Sequence, residues 1–334
     1  MSIWFPPMPK NIDLESQIGR RLKLRDLHVF FTVVQCGTMA KAALQLGVSQ
    51  PAVSEVIANL ENALGVRLLD RRHQGVDPTI YGNALCKRCI AVFDELKQSI
   101  RDIEFLADPT VGELRIGCGE SISAAILPPI IRRFTRQFPG VVLDVHHDVS
   151  ALTFPPKLHD RSVDLAIVHG EAAFANGQYA NDFSVEILVD DELVIAVGRQ
   201  SRWARRRKIN LAELANETWI LTTPGGTNSK TVAEAFRVCG LDTPKIGLKT
   251  LSVLLRTNLL TTGEFVTVFP KSVLRIYGDR LGLKILPIDM PKQPWPVILV
   301  TLKNRTLSPV VERFIDCARE VAKSIAGTSQ SRKS

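Results

Sequence analysis

Between Gly37 and Arg72 the chain reads GTMAKAALQLGVSQPAVSEVIANLENALGVRLLDRR, and its glycines cut apolar-periodic segments into short helices that must turn sharply. The segment before it, LRDLHVFFTVVQC, repeats Leu24, Leu27, Phe30, Phe31 and Val34 at three- and four-residue intervals, one apolar helical face. Gly37 breaks that helix, and Thr38 is a good N-cap for the alanine-rich MAKAALQL, which can approach a neighbouring helix closely. Gly47 supplies the next C-terminal turn. Ser49 caps a third helix, with Pro51 in its first turn, where a missing N–H costs little. In that helix Val53, Val56, Ile57, Leu60 and Leu64 form the expected buried stripe. Ser49, Gln50, Ser54, Glu55 and Ala58 fall on the other side.

Helix, tight turn and helix of this size fit a helix-turn-helix whose second helix is free to enter a major groove, with an ordinary small helical bundle as the competing reading. The following GVRLLDRRHQGVDPTIYG reads as strand, turn, strand, with Gly75 as the turn. A wing there places Arg71, Arg72 and His73 against phosphates, although adjacent arginines on a hairpin also suit a solvated surface.

The run AALQLGVSQPAVSEVIANLENALGVRLLDRRHQGVDPTIYG resembles the signature of LysR-type transcriptional regulators. It has the alanine pair, V-S-Q-P-A-V-S, L-E-x-x-L-G-V-x-L, the arginine-bearing wing and the Thr-x-x-Gly that follows. The match spans about sixty residues without a gap, and the rest of the chain has the family's length and layout. The resemblance implies that Thr38, Ser49, Gln50, Pro51, Ser54, Glu55, Arg67, Arg71 and Arg72 form the DNA-binding surface. Gln50 can pair bidentately with adenine, and Ser49 and Ser54 suit phosphate or either base. Relatives usually carry arginine where this chain has Glu55, and polar or basic residues where it has Val56, Ala58 and Asn59. Glu55 would repel phosphate yet could accept from a cytosine amino group, leaving Arg67, Arg71, Arg72 and RRLKLR to carry more of the phosphate contact.

Charge alone argues weakly for DNA. The formal net charge is +8, but residues 1–108 hold 13 Lys and Arg against 12 Asp and Glu, leaving 29 against 22 for the remainder. The six cysteines are scattered through 334 residues, unlike a secreted disulfide framework, and a reducing cytoplasm is expected. Cys86 and Cys89 form a C-x-x-C, read as two small apolar residues one helical turn apart, because no second pair or histidine sits at zinc-finger spacing. No run of about 18 apolar residues and no leader-like h-region is present.

The expected organisation is an N-terminal arm (1–21), an α-helical winged helix-turn-helix domain (22–81), a linker helix (82–110), an α/β effector domain (111–326) and a tail (327–334). The linker places Leu85, Cys89, Val92, Phe93, Leu96, Ile100 and Ile103 on one face, which needs a partner. The family resemblance implies an antiparallel dimer through this helix. From Glu113 strands and helices alternate, predicting parallel sheets in two Rossmann-like subdomains of periplasmic-binding-protein type, with ligand bound beyond strand carboxyl ends.

Those ends supply the effector-site candidates Ser121, Ser123, Ser150, His169, Thr222, Thr223, Thr267 and Phe269. The resemblance implies that hydroxyls at Ser121 and near Ser150 line the cleft; capping is the competing role for each hydroxyl. Clustered hydroxyls at helix starts suit an anionic or polyhydroxylated small molecule. The cation cluster RWARRRK, Arg202 to Lys208, is read as a solvated loop.

Together these features imply a regulator that binds partly palindromic duplex DNA, a small effector and copies of itself as dimer or tetramer, with RNA polymerase a further candidate partner. No cofactor, metal, membrane or enzymatic activity is expected. The alternatives are an enzyme, or a solute-binding module whose helical part docks a protein. Neither G-x-S-x-G, a phosphate-binding glycine loop, nor a nucleophile–base pair stands out.

Overall fold

The computed structural model describes residues 22–72, 75–108, 111–148, 153–170, 181–222, 226–290 and 295–330. The chain divides into two units, Met1–Ser99 and Ile100–Ser334.

In the first unit α1 (Leu24–Cys36), α2 (Met39–Leu46) and α3 (Gln50–Leu64) precede an antiparallel hairpin of β1 (Leu69–Arg72) and β2 (Gly75–Pro78). The caps are local chemistry. Thr38 Oγ1 accepts Lys41 N–H at 3.2 Å, Ser49 Oγ accepts Ala52 N–H at 3.4 Å, and Gly37, Gly47 and Gly65 end the three helices in the left-handed region. Val53, Ile57 and Leu60 of α3 are buried as anticipated, with Val56 and Leu64 at the margin.

Helix α1 departs from its expected stripe: Val29, Phe30 and Val33 carry the core, whereas Leu24 is 49% exposed. The helix packs two ways. One side meets the core residues of α2 and α3, while Phe31 turns to Phe93, ring centroids 6.0 Å apart. A single apolar stripe therefore describes it poorly. Gly75 is likewise not the hairpin turn; it opens β2 opposite Arg72, with φ of +152°. A Cβ there would lie 2.5 Å from Gly37 O, the carbonyl that accepts Val76 N–H at 2.9 Å. The glycine lets the wing close on the α1–α2 turn.

Helix α4 runs from Ile80 to Ala107 and begins two residues before the expected linker. Cys89 is buried, but Leu96, Ile100, Ile103 and Leu106 are exposed.

The second unit holds two five-stranded sheets. Its elements are β3 (Gly112–Gly119), α5 (Glu120–Ala125), α6 (Leu127–Gln137), β4 (Val141–Asp148), α7 (Phe154–His159), β5 (Leu165–His169), β6 (Phe183–Val189) and β7 (Leu193–Gly198). Then come β8 (Thr218–Leu221), α8 (Thr227–Val238), β9 (Ile246–Lys249), α9 (Val253–Leu260), β10 (Phe265–Pro270), α10 (Lys271–Tyr277), β11 (Leu283–Ile285), β12 (Val297–Leu302) and α11 (Pro309–Gln330). Short 3₁₀ turns occupy Arg202–Arg205 and Leu211–Leu214.

One sheet has the order β4-β3-β5-β12-β6 and the other β11-β7-β10-β8-β9. The expected parallel sheets are in fact mixed. β12 runs antiparallel to both β5 and β6, and β7 antiparallel to both β10 and β11. The reversal follows from the path of the chain, which leaves the first sheet after β6 and returns after β11 as β12. Both faces of the first sheet are covered: Leu165 and Ile167 point into one core, and Ala166 and Val168 into another built on Phe154.

Candidate nucleic-acid interface and effector site

On α3 the face opposite the core is open. Ser49, Gln50, Pro51, Glu55, Ala58 and Asn59 are exposed and Ser54 is half-buried. Two of the expected DNA contacts, Thr38 and Ser49, spend their hydroxyl oxygens on helix caps, so each retains a hydroxyl hydrogen for an outside acceptor. Glu61 points its charge inward, accepting Leu68 N–H at 2.7 Å and Leu69 N–H at 3.1 Å, which fixes the wing's entry. Arg67 is exposed. Arg72 Nε lies 2.7 Å from Asp77 Oδ2 across the hairpin. Such an exposed pair is worth about 0–1 kcal/mol, little enough for a phosphate to replace it. Arg71 lies in β1, and His73 falls outside the described residues.

In the second unit a buried polar chain spans the region where the two sheets are joined. Ser121, on α5 just past β3, places Oγ 3.3 Å from His169 Nδ1 at the end of β5. His169 Nε2 lies 3.2 Å from Asp191 Oδ2, on the segment between β6 and β7. Asp191 in turn accepts the backbone N–H and hydroxyl of Ser272, at the start of α10. The His169 and Asp191 side chains are 4% and 2% exposed. Trp295, just before β12, stacks on the imidazole with centroids 4.4 Å apart. Gly170 permits that stacking, since a Cβ there would press to 3.2 Å from the indole. Burial alone would push the Asp191 carboxyl up, but the hydrogen bonds it accepts from His169 and Ser272 hold it below the usual carboxylate range.

A second link joins the two sheets' helices: Glu120 Oε1 accepts Val253 N–H at 2.7 Å, capping α9 from α5. Beside it Arg256, 3% exposed, lies over the Phe269 ring at 4.3 Å and donates to Val268 O at 3.1 Å. Burial pulls its guanidinium down to about 10, against the opposing charge of Glu120.

Comparison with known proteins gives these geometries a family. The model of the LysR substrate binding domain matches residues 107–323, and that of the bacterial regulatory helix-turn-helix protein, lysR family, matches residues 24–83. The chain belongs to the LysR family. It is a LysR-type DNA-binding transcriptional regulator with a substrate-binding domain. The regulator is 26% identical over 291 residues to the HTH-type transcriptional regulator GbpR of Azospirillum brasilense, covering 86% of this chain and 83% of that one. It is also 26% identical over 298 residues to TdcA of Escherichia coli K12, covering 89% and 93%. Among solved structures, CbnR, a LysR family transcriptional regulator, aligns with a TM-score of 0.51 at 23% identity over 89% of this chain and all of that one. A Corynebacterium glutamicum OxyR C206 mutant gives 0.53 at 20% identity, covering 95% and 96%. These two likenesses establish the fold.

Within this LysR-family fold the effector-site candidates separate. Ser121 and His169 come together. Ser123 donates to Glu120 O at 2.8 Å and is a helix-start hydroxyl. Thr222 is 5% exposed and pairs with Ser229. Thr267 is fully buried, its hydroxyl donating to Ile220 O between paired strands, and Phe269 is buried beneath Arg256. Those two therefore sit inside the sheet's packing. Ser150 and Thr223 lie outside the described residues.

Asp191, Ser272 and Trp295, which no local spacing in the sequence signals, surround His169, and Ser121 meets His169 at 3.3 Å. The Arg202 to Lys208 cluster is partly neutralised: Arg202 pairs with Glu217 and Arg206 with Glu213, and both guanidiniums flank the Trp203 ring. Cys86 and Cys89 join the first unit's core. Burial raises both thiols, Cys89 to about 11 with Cys86 adding to it. Among the described residues no group of three or more His, Cys, Asp or Glu could hold a metal, and no helix is long and apolar enough to cross a membrane.

Proposed function

We propose that this regulator acts in the cytoplasm as a dimer or tetramer, reading a partly palindromic operator with the exposed face of α3 and responding to a small molecule held beside Ser121. The observation that carries the DNA reading is Gln50, exposed at the start of a helix whose opposite side is fully engaged in the core. The exposed run Leu96, Ile100, Ile103 and Leu106 on α4 supports self-association, since an apolar helical stripe in water favours a second copy. The relay linking Ser121 to the segment between the two sheets supports coupling: a ligand that prefers one arrangement of the sheets shifts the population of that arrangement. RNA polymerase is the natural further partner of such a switch. A related architecture has been solved with its target: CbnR complexed with target DNA aligns at a TM-score of 0.50 and 22% identity.

The test is footprinting on the DNA upstream of neighbouring genes at physiological salt, with and without candidate metabolites. Protection of two half-sites about one helical turn apart, changed by a metabolite, is the expected result. Absence of sequence-specific protection would end the reading. Within the same experiment Glu55→Arg should tighten nonspecific binding and steepen the salt dependence by about 0.9 in log–log slope for each phosphate gained. An unchanged slope would place Glu55 away from DNA.

A catalytic role is the second reading, because Ser121, His169 and Asp191 follow the order of nucleophile, base and orienting carboxylate. Hydrolysis of a chromogenic ester that disappears in Ser121→Ala would favour it over the non-enzymatic role proposed above.

A further inference from the structure

The surroundings of Asp191 fix where hydrogens sit. Its Oδ1 accepts the backbone N–H groups of Glu192 at 2.9 Å and Ser272 at 3.1 Å. Its Oδ2 accepts the Ser272 hydroxyl and faces His169 Nε2 at 3.2 Å. An ionised carboxylate only accepts, so His169 Nε2 must carry a hydrogen. In a neutral imidazole the other nitrogen then offers only a lone pair. The 3.3 Å contact at Nδ1 is therefore closed by the Ser121 hydroxyl donating to the ring. A hydroxyl has one hydrogen, and here it is committed. Trp295 covers the imidazole's face, so the half-buried Ser121 oxygen is the end of the chain left for a ligand.

We propose that the Asp191–His169–Ser121 chain makes Ser121 an acceptor-only contact, so that the effector presents a hydrogen-bond donor to it, a hydroxyl or an amine, and not a carboxylate oxygen. The inference rests on the reading of this unit as the effector domain and narrows its ligand toward the polyhydroxylated class. Asp191 and His169 act as specificity-determining positioning residues. A carboxylate oxygen meeting Ser121 would set lone pairs against lone pairs, and binding through that contact should be at least about tenfold weaker than for the matching alcohol.

Asp191→Asn should invert the chain without changing its shape. Two backbone N–H groups hold Oδ1 as the carbonyl, which leaves the amide nitrogen in the place of Oδ2. That nitrogen donates to His169 Nε2, the ring hydrogen moves to Nδ1, Nδ1–H donates to Ser121, and the serine hydrogen is freed.

Two measurements on the full chain decide the matter. Two-bond proton–nitrogen correlations on ¹⁵N-histidine-labelled protein, assigned with His169→Gln, should show Nε2–H in the wild type and Nδ1–H in Asp191→Asn. Thermal shifts with a panel of small carboxylates, alcohols, amides and amines on common carbon skeletons should favour donors in the wild type and carboxylates in Asp191→Asn. Ser121→Ala should lose the discrimination. An Nδ1–H or doubly protonated His169 in the wild type overturns the proposal, as does a wild-type preference for carboxylates that Ser121→Ala abolishes. Should Asp191→Asn not fold, the wild-type tautomer and the Ser121→Ala comparison still decide. A ring in the expected tautomer, with no panel member stabilising the wild type, would instead remove the effector reading on which the proposal stands.

Discussion

Asp164→Ala is expected to cost about 3–5 kcal/mol of stability, the range for deleting one member of a buried ion pair. Asp164 stands immediately before β5, its side chain 5% exposed. It accepts from the Arg115 backbone N–H at 2.9 Å, Arg115 Nε at 3.2 Å and Nη2 at 2.9 Å, and pairs with the Arg305 guanidinium, Nη1 at 3.1 Å. Arg115 belongs to β3 and Arg305 follows β12, so one carboxylate ties together three neighbouring strands of the first sheet. Its removal leaves Arg305, 4% exposed, without this counter-charge.

The pH dependence follows from the same contacts. Burial works to raise the Asp164 carboxyl, and the hydrogen bonds and charge of Arg115 with the charge of Arg305 outweigh it, holding the group below its ordinary value. A carboxyl lowered on folding contributes stability above its unfolded value of about 4 and loses that contribution as pH falls through the folded value. The gap between wild type and Asp164→Ala should therefore be full at neutral pH and narrow in acid. Urea midpoints measured across pH test this, and coincident midpoints at pH 7 would deny Asp164 its role.

That network shows where a sequence can be read and where it cannot. The caps at Thr38 and Ser49 and the glycine stops at Gly37 and Gly47 depend on residues within four positions of one another, and each is legible in the sequence, whereas the stop at Gly65 emerges only in the structure. Leu24 lies outside the core because α1 serves two packing surfaces, and the tertiary arrangement decides which residues face inward. The strand FSVEILV at β6 carries a weak local signal, because Ser184 and Glu186 interrupt its apolar run. The strand character of β12 was evident, yet nothing local reveals that it inserts backwards between β5 and β6.

The candidate site divides in the same way. His169 could be picked as a polar residue ending an apolar strand. Its partner Asp191 lies 22 residues away and Ser272 another 81 beyond that, and no spacing rule joins them. Thr267 and Phe269 were chosen from the same strand-end reasoning. Strand neighbours and Arg256 bury both, which the strand-end position alone does not reveal.

Gln50→Ala should weaken operator binding by about 5- to 150-fold, equivalent to about 1–3 kcal/mol for a bidentate base contact, while leaving nonspecific affinity and its salt slope unchanged. The separation of the two effects comes from how charge is deployed around α3. Glu61 is pinned inward by the wing's backbone, Arg72 is shared with Asp77, and Glu55 contributes a negative charge to the exposed face. With no Lys or Arg on the reading helix, sequence discrimination falls to the amide and hydroxyl side chains at its start. Phosphate attraction falls to Arg67 and the remaining exposed cations of this unit. Because an uncharged glutamine releases no counterions, its loss cannot alter the salt dependence. Titrating operator and random duplex over a range of salt concentrations measures both quantities, and an equal loss on the two DNAs would show that Gln50 reads no base.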